Sequence, residues 1–200
     1  MRIIGITGGV GAGKSTVLSL LKELCSCKII MADDVAKNLM KFDGILGRKA
    51  VELFGEKAFG SDKSLNTAYI SGIMYSNQEI KKQWTDMVHP AFNQAIYDEI
   101  NCATESGKYK FVFVEAALLI ENKYDKICDE IWYIFADMEE RIKRLHINRG
   151  YSKEKSLSIM DCQMTDTEFR QKCDFTIDNG VDVEFTRKQL ENKLEEYLTI

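Results

Sequence analysis

The sequence predicts an α/β fold, a five-stranded parallel sheet interrupted after its second strand by an inserted helical block. Three observations carry that prediction. Short apolar runs recur at Arg2 to Thr7, Lys28 to Ala32, Lys110 to Val114, Glu130 to Ala136 and Phe175 to Asp178, as strands in the middle of a sheet covered on both faces require. Segments of helical spacing alternate with them. From about Val35 to Ser106 the chain carries helical periodicity and no convincing strand.

The elements follow in order. The strand over Arg2 to Thr7 runs into a glycine-rich loop, and from Val17 the apolar residues Val17, Leu20, Leu21 and Leu24 share one helix face. A second strand follows closely. Within the helical block, Gly55, Gly60 and Gly72 read as loop signals, and His89-Pro90 reads as a helix start with the chain's only proline in its first turn. Charged helices lie between the last two strands, with Asp137 and Glu140, and then Thr165 and Glu168, spaced as capping boxes. A final amphipathic helix runs from about Val183 to Leu198. These elements divide the chain into a core at 1–34 and 107–200 and an insert at 35–106.

Composition narrows the function. With 200 residues, 45% of them hydrophobic, the chain can bury a substantial core. A formal net charge of −4 argues against a general nucleic-acid grip, which needs a basic surface to displace counterions. No apolar run approaches the roughly 20 residues that span a bilayer, and the glycine loop follows MRIIGIT too closely to leave space for a signal peptide. A cytoplasmic protein without a membrane partner is expected. The six cysteines include no C-x-x-C pair and read as reduced packing thiols.

The chemistry starts in GITGGVGAGKST. Gly8, Gly13, Lys14 and Ser15 satisfy G-x-x-x-x-G-K-[ST] between a predicted strand and a predicted helix, the setting the motif requires. Glycines let backbone N–H groups turn around phosphate oxygens, and the positive end of the following helix faces them. Lys14 can reach the β- and γ-phosphates, and Ser15 offers a hydroxyl to magnesium. ATP or GTP binding with Mg²⁺ follows. Asn122-Lys123-Tyr124-Asp125 fits the N-K-x-D pattern of guanine readers, but no aspartate is followed three residues later by glycine. The switch element of a GTPase is therefore missing.

A kinase needs a group to orient the acceptor hydroxyl, an acidic residue near magnesium and cations that cover the phosphates. Asp33 lies at the carboxyl edge of the second strand, where ligands bind in parallel sheets; its alternative is a helix N-cap. Glu115 ends the apolar KFVFV run, where a carboxylate can hold a magnesium-bound water. Arg141 and Arg144 share a helix face, and Arg149-Gly150 follows at the helix end. Their alternative is a solvated charged face, but their placement before a polar helix favours a lid that excludes water.

Together these residues resemble the dephospho-coenzyme A kinases. The likeness rests on IGITGGVGAGKST, Ala32-Asp33 with Ala36, Leu53 to Gly55, Leu65-Asn66, Val88-His89-Pro90 and Leu118 to Glu121, then Arg141, Arg144, Arg149, Gln163 and Cys173 to Asn179. It implies a three-layer P-loop kinase core, an inserted acceptor domain and a lid at about 141–170. It also implies ATP and Mg²⁺ as cofactors, dephospho-CoA as substrate, and transfer of the γ-phosphate to the ribose 3'-hydroxyl. In that scheme Asp33 is the general base, while Lys14, Arg141 and Arg149 stabilise the transferring group. Gly9, Gly11, Ala12, Gly13, Lys14, Ser15 and Thr16 hold ATP. Lys37, His89 and Leu118 join Asp33 on the acceptor side, and Ser15 and Glu115 serve the metal. Met31, Lys37, Thr67 and Ala117 depart from the family's usual residues, and all four changes fall on the acceptor side. The alternatives are a kinase of another nucleotide or small alcohol, and a nucleotide-dependent switch. A monomer or weak homo-oligomer is expected.

Overall fold

In the computed structural model, which describes residues 1–121 and 123–197, strand β1 (Arg2–Thr7) leads through the glycine loop into helix α1 (Lys14–Leu24). Strand β2 (Cys27–Met31) follows, and after a helical stretch come β3 (Phe111–Glu115), β4 (Glu130–Phe135) and β5 (Phe175–Asp178). The five strands form one sheet in the order β2-β3-β1-β4-β5, with β1 parallel to β3 and β4, and β4 parallel to β5. The predicted α/β class and strand count hold, with strand ends displaced by a residue: β2 stops at Met31 and β3 extends to Glu115. Helix α1 starts at Lys14, three residues before its apolar face begins, because its first turn is spent on the loop.

The chain divides into two compact units, Met1–Ile29 with Ser106–Ile200, and Ile30–Glu105. In the first, alternation along the strands sends Ile4, Ile6, Phe113, Trp132, Ile134 and Ile177 to one face, all buried with Val17, Leu20 and Leu21 of α1 and Leu190 of the last helix. Tyr133 is on the other face. It stacks on Phe169 with ring centroids 4.6 Å apart and planes 7° from parallel. Helix-forming sequence covers both faces, so the strands can be apolar throughout.

The second unit holds α2 (Ala32–Leu39), α3 (Ile45–Phe54), α4 (Thr67–Ser76) and α5 (Gln78–Glu105). Its own core gathers Leu46, Ala50, Phe54, Ile70 and Trp84, with Phe54 and Trp84 edge to face at 5.2 Å. Among the described residues of this unit the strand content beyond the end of β2 is one isolated bridge, Phe59 to Leu65. Two local readings change here. Gly72 lies inside α4, and His89-Pro90 lies inside α5, which does not start there. Pro90 has no N–H for the Asp86 carbonyl one turn back, but both residues are exposed, so water can serve that carbonyl.

Beyond β4, the first unit continues with α6 (Met138–Arg149), α7 (Lys153–Met160), α8 (Asp166–Lys172) and, after β5, α9 (Val183–Glu196). Thr165 and Glu168 form the expected capping box on α8. Asp137 occupies the N-cap of α6 but makes no side-chain cap bond; Glu140 pairs with Arg144 at 3.0 Å instead. Leu198, the expected end of the last helix, and Asn122 of the N-K-x-D tetrapeptide lie outside the described residues. All six cysteines are free, and burial pushes the thiols of Cys128 and Cys173 up to about 12, as suits packing groups.

Candidate active site

The site begins where β1 ends. Gly13 takes the N-cap position of α1 with φ 86°, and α1 has no side-chain cap. A left-handed residue there costs glycine little, and a helix start without a capping side chain keeps its first N–H groups available to an anion. Lys14 folds back over the loop: its Nζ donates to the Gly8 carbonyl at 2.9 Å and lies 3.6 Å from Glu115 Oε1. Both side chains are largely buried, with 16% and 9% exposed. The ammonium is thus held within the loop by those two groups.

Ser15 is exposed on the first turn of α1, and Glu115 is buried at the end of β3. A hydroxyl and a carboxylate are oxygen donors suited to a hard cation such as Mg²⁺, which usually takes few protein ligands and keeps waters and phosphate oxygens. The donor set fits that ion.

The arginines occupy unequal positions. Arg141 Nε donates to the Val10 carbonyl at 2.8 Å, and one of its terminal nitrogens reaches Gln163 Oε1 at 3.3 Å. Burial lowers its proton affinity, yet a guanidinium stays charged in any protein setting. It also fills the space beside Gly9, where a Cβ would lie 2.3 Å from its terminal nitrogen. Arg144 donates to the carbonyls of Ala12 at 3.3 Å and Asn179 at 2.8 Å. Arg149, the last residue of α6, is exposed and makes no side-chain hydrogen bond or ion pair among the described residues. Arg141 and Arg144 therefore bind the loop's backbone, while Arg149 stands at an open helix end.

The structure brings Gly9, Gly11, Ala12, Gly13, Lys14, Ser15, Thr16, Glu115 and Arg141 together in the first unit. Leu118 belongs to the same unit, in the turn after β3, 49% exposed beside a fully buried Leu119. Asp33, Lys37 and His89 belong to the second. Asp33 sits in the first turn of α2, whose N-cap is Met31, so the reading of Asp33 as a cap falls. Lys37 pairs with Asp34 at 3.0 Å on an exposed face, and His89 is exposed on α5. Gln163 and Asn179 carry no assigned role in the sequence. The Val10 N–H donates to Gln163 Oε1 at 2.9 Å, and Asn179 donates to the Ala12 carbonyl at 2.8 Å. Partners more than 150 positions apart leave no local spacing by which to find them.

A parallel sheet with a glycine loop, a lysine folded over it, and a hydroxyl on the first helical turn define a P-loop nucleotide-binding protein of the kinase type. Within that class the likeness to known proteins is specific. A family model described as dephospho-CoA kinase matches residues 2–184. A dephospho-CoA kinase from Carboxydothermus hydrogenoformans is 32% identical over 98% of this chain and 94% of its own. One from Dehalococcoides mccartyi is 33% identical over 90% and 89%. A crystal structure from Thermus thermophilus superposes with a TM-score of 0.78 at 26% identity, covering 98% of this chain and 97% of that one. The chain belongs to the dephospho-CoA kinase family, whose members are ATP-dependent kinases.

Proposed function

We propose that the protein transfers the γ-phosphoryl group of ATP to the ribose 3'-hydroxyl of dephospho-CoA, giving CoA and ADP. The observation that carries this reading is the cationic end of Lys14, held between the Gly8 carbonyl and Glu115 at the start of α1. A phosphate chain seated on the first-turn N–H groups meets that charge where negative charge builds on the transferring group. Membership of the family supplies the acceptor.

Each residue then has a task. Asp33 takes the proton of the acceptor hydroxyl, whose oxygen forms the new bond to phosphorus as the bond to the β-phosphate oxygen breaks. Gly9, Gly11, Ala12, Gly13, Ser15 and Thr16 hold the phosphates with Lys14. Lys37, His89 and Leu118 serve the acceptor. Ser15 and Glu115 would hold Mg²⁺, and the ion would supply charge neutralisation at the phosphate oxygens. Residues 141–170 act as a lid, with Arg149 as the cation it delivers. Its ends are tied by Arg141 to the loop and by Phe169 to Tyr133.

No described helix is long and apolar enough to cross a membrane. The net charge of −4 argues against a general nucleic-acid partner. The test is ADP release from ATP and Mg²⁺ with and without dephospho-CoA, with CoA followed by mass in the same sample. Acceptor-dependent ADP matched mole for mole by CoA is expected. ADP without CoA, or no ADP at all, overturns the assignment.

A further inference from the structure

Asn179 is a buried polar residue, 5% exposed, at the residue after β5, and the phosphoryl-transfer chemistry gives it no task. Its own N–H donates to the Phe135 carbonyl at 2.8 Å, which extends the β4–β5 pairing by one step and fixes its backbone. From there its side chain enters the phosphate loop. Nδ2 donates to the carbonyls of Ala12 at 2.8 Å and Gly13 at 3.4 Å. Two carbonyls accept only from the nitrogen end of an amide, so the orientation of the side chain is decided by its partners. Oδ1 is left facing the Thr186 hydroxyl at 3.0 Å, a hydroxyl that is equally close to the Asp182 carbonyl one turn back, and Thr186 is itself fully buried.

Arg144 completes the arrangement by donating to both the Ala12 and Asn179 carbonyls. The loop carbonyls of Ala12 and Gly13 are therefore drawn toward the β5–α9 turn. Because successive peptide N–H and C=O groups are fixed by the same torsions, holding these carbonyls on one side holds the neighbouring N–H groups toward the phosphate position. The fit is close: a Cβ at Gly13 would lie 2.2 Å from Asn179 Nδ2, so the glycine there also makes room for the amide.

We infer that Asn179 is a positioning residue that presets the phosphate loop for the nucleotide, with Thr186 orienting its amide. The inference rests on residues 8–16 being the ATP phosphate site, but not on the identity of the acceptor. It therefore predicts an effect on nucleotide affinity even in the absence of dephospho-CoA.

The experiment is calorimetric titration of the full-length protein with Mg-ADP, followed by steady-state kinetics with both substrates. Asn179→Ala should weaken ADP binding about tenfold, the loss expected when a buried donor is removed from paired carbonyls. It should raise the KM for ATP by a similar factor and leave the KM for dephospho-CoA within about twofold. Thr186→Val, which keeps Asn179 and the shape of the side chain, should shift ADP binding in the same direction by about threefold. Thr186→Ser keeps the hydroxyl and should recover most of that loss. ADP affinity unchanged in Asn179→Ala overturns the inference, as does an equal rise in both KM values, which would mark a merely structural residue. Should Asn179→Ala not fold, Thr186→Val carries the test, and wild-type ADP affinity in that variant overturns it. A wild-type protein that binds ADP but forms no CoA would sink the acceptor assignment while leaving this inference open to the same titration.

Discussion

The phosphate loop and the residues proposed for the acceptor side are built in different ways. The loop carbonyls of Gly8, Val10, Ala12 and Gly13 each accept from a side chain: Lys14 on Gly8, Arg141 on Val10, Arg144 and Asn179 on Ala12, and Asn179 on Gly13. Asp33 and Lys37 lie on an exposed helical turn, where Lys37 pairs with Asp34, their side chains 74% and 59% exposed. Exposed ion pairs of that kind contribute little. The glycine loop is thus fixed by bonds from other parts of its own unit, whereas the exposed pair on α2 constrains its side chains little. Preorganisation belongs where charge develops in the transition state, since donors already in place need no rearrangement.

The largest effect that would undo this contrast is at Asp33. Asp33→Asn should lower kcat by about 10²–10⁴-fold, the usual worth of a proton-transfer group, with Mg-ADP affinity by calorimetry left within about twofold. A variant that turns over at the wild-type rate would remove Asp33 from the mechanism. Lys14→Ala comes next, with a loss of about 10²–10³-fold in kcat/KM for ATP. Unlike Asp33→Asn, it should also weaken ADP, because the ammonium is part of the preset loop. If both variants left ADP binding untouched, the loop would not be the preorganised element.

Glu115→Gln probes the nucleotide half more finely. It removes a buried negative charge 3.6 Å from Lys14 and a ligand suited to Mg²⁺. The Mg²⁺ concentration for half-maximal rate should rise about tenfold, read from titrations at saturating ATP. An unchanged Mg²⁺ requirement would confine Glu115 to an ion-pair role with Lys14. Lys37→Arg addresses the other half. A planar, two-pronged guanidinium should lower the KM for dephospho-CoA about threefold and leave the KM for ATP unchanged. A change in the ATP value would mean that the two halves are not separate in function.

How much of this is legible in the sequence depends on the range of the interaction. The strands, the helix after the loop and the capping box at Thr165 are written in neighbouring residues, and the structure repeats them. The phosphate motif is equally local, since backbone torsion and helix start are both set within GGVGAGKS. The braces are not. Gln163 and Asn179 reach Val10 and Ala12 across the sheet, and nothing near them in sequence announces a partner. Pro90 misleads for a related reason: proline favours a first turn, but at an exposed interior position the Asp86 carbonyl that its missing N–H leaves unpaired can turn to solvent. Sequence leaves Asp33 open between a cap and a chemical role, and the helix removes only the first by starting at Ala32, with Met31 at its N-cap.

The smallest predicted effect tests whether side chains that bind backbone groups contribute in proportion to the bonds they make. Thr165 accepts from the Glu168 N–H, and Glu168 in turn accepts from the Thr165 N–H at 2.7 Å. Asp137 holds the same N-cap position on α6 without a side-chain bond. Thr165→Ala should therefore cost about 1 kcal/mol of stability, and Asp137→Ala under about 0.5 kcal/mol, both measured from urea unfolding midpoints. The same reciprocal logic governs the loop, where Asn179 and Arg144 make the bonds that Gly13, having no side chain, cannot. Equal costs at Thr165 and Asp137 would mean that the charge at a helix start matters more than the bond, and would weaken the case that carbonyl bonds rather than nearby cations hold the phosphate loop in shape.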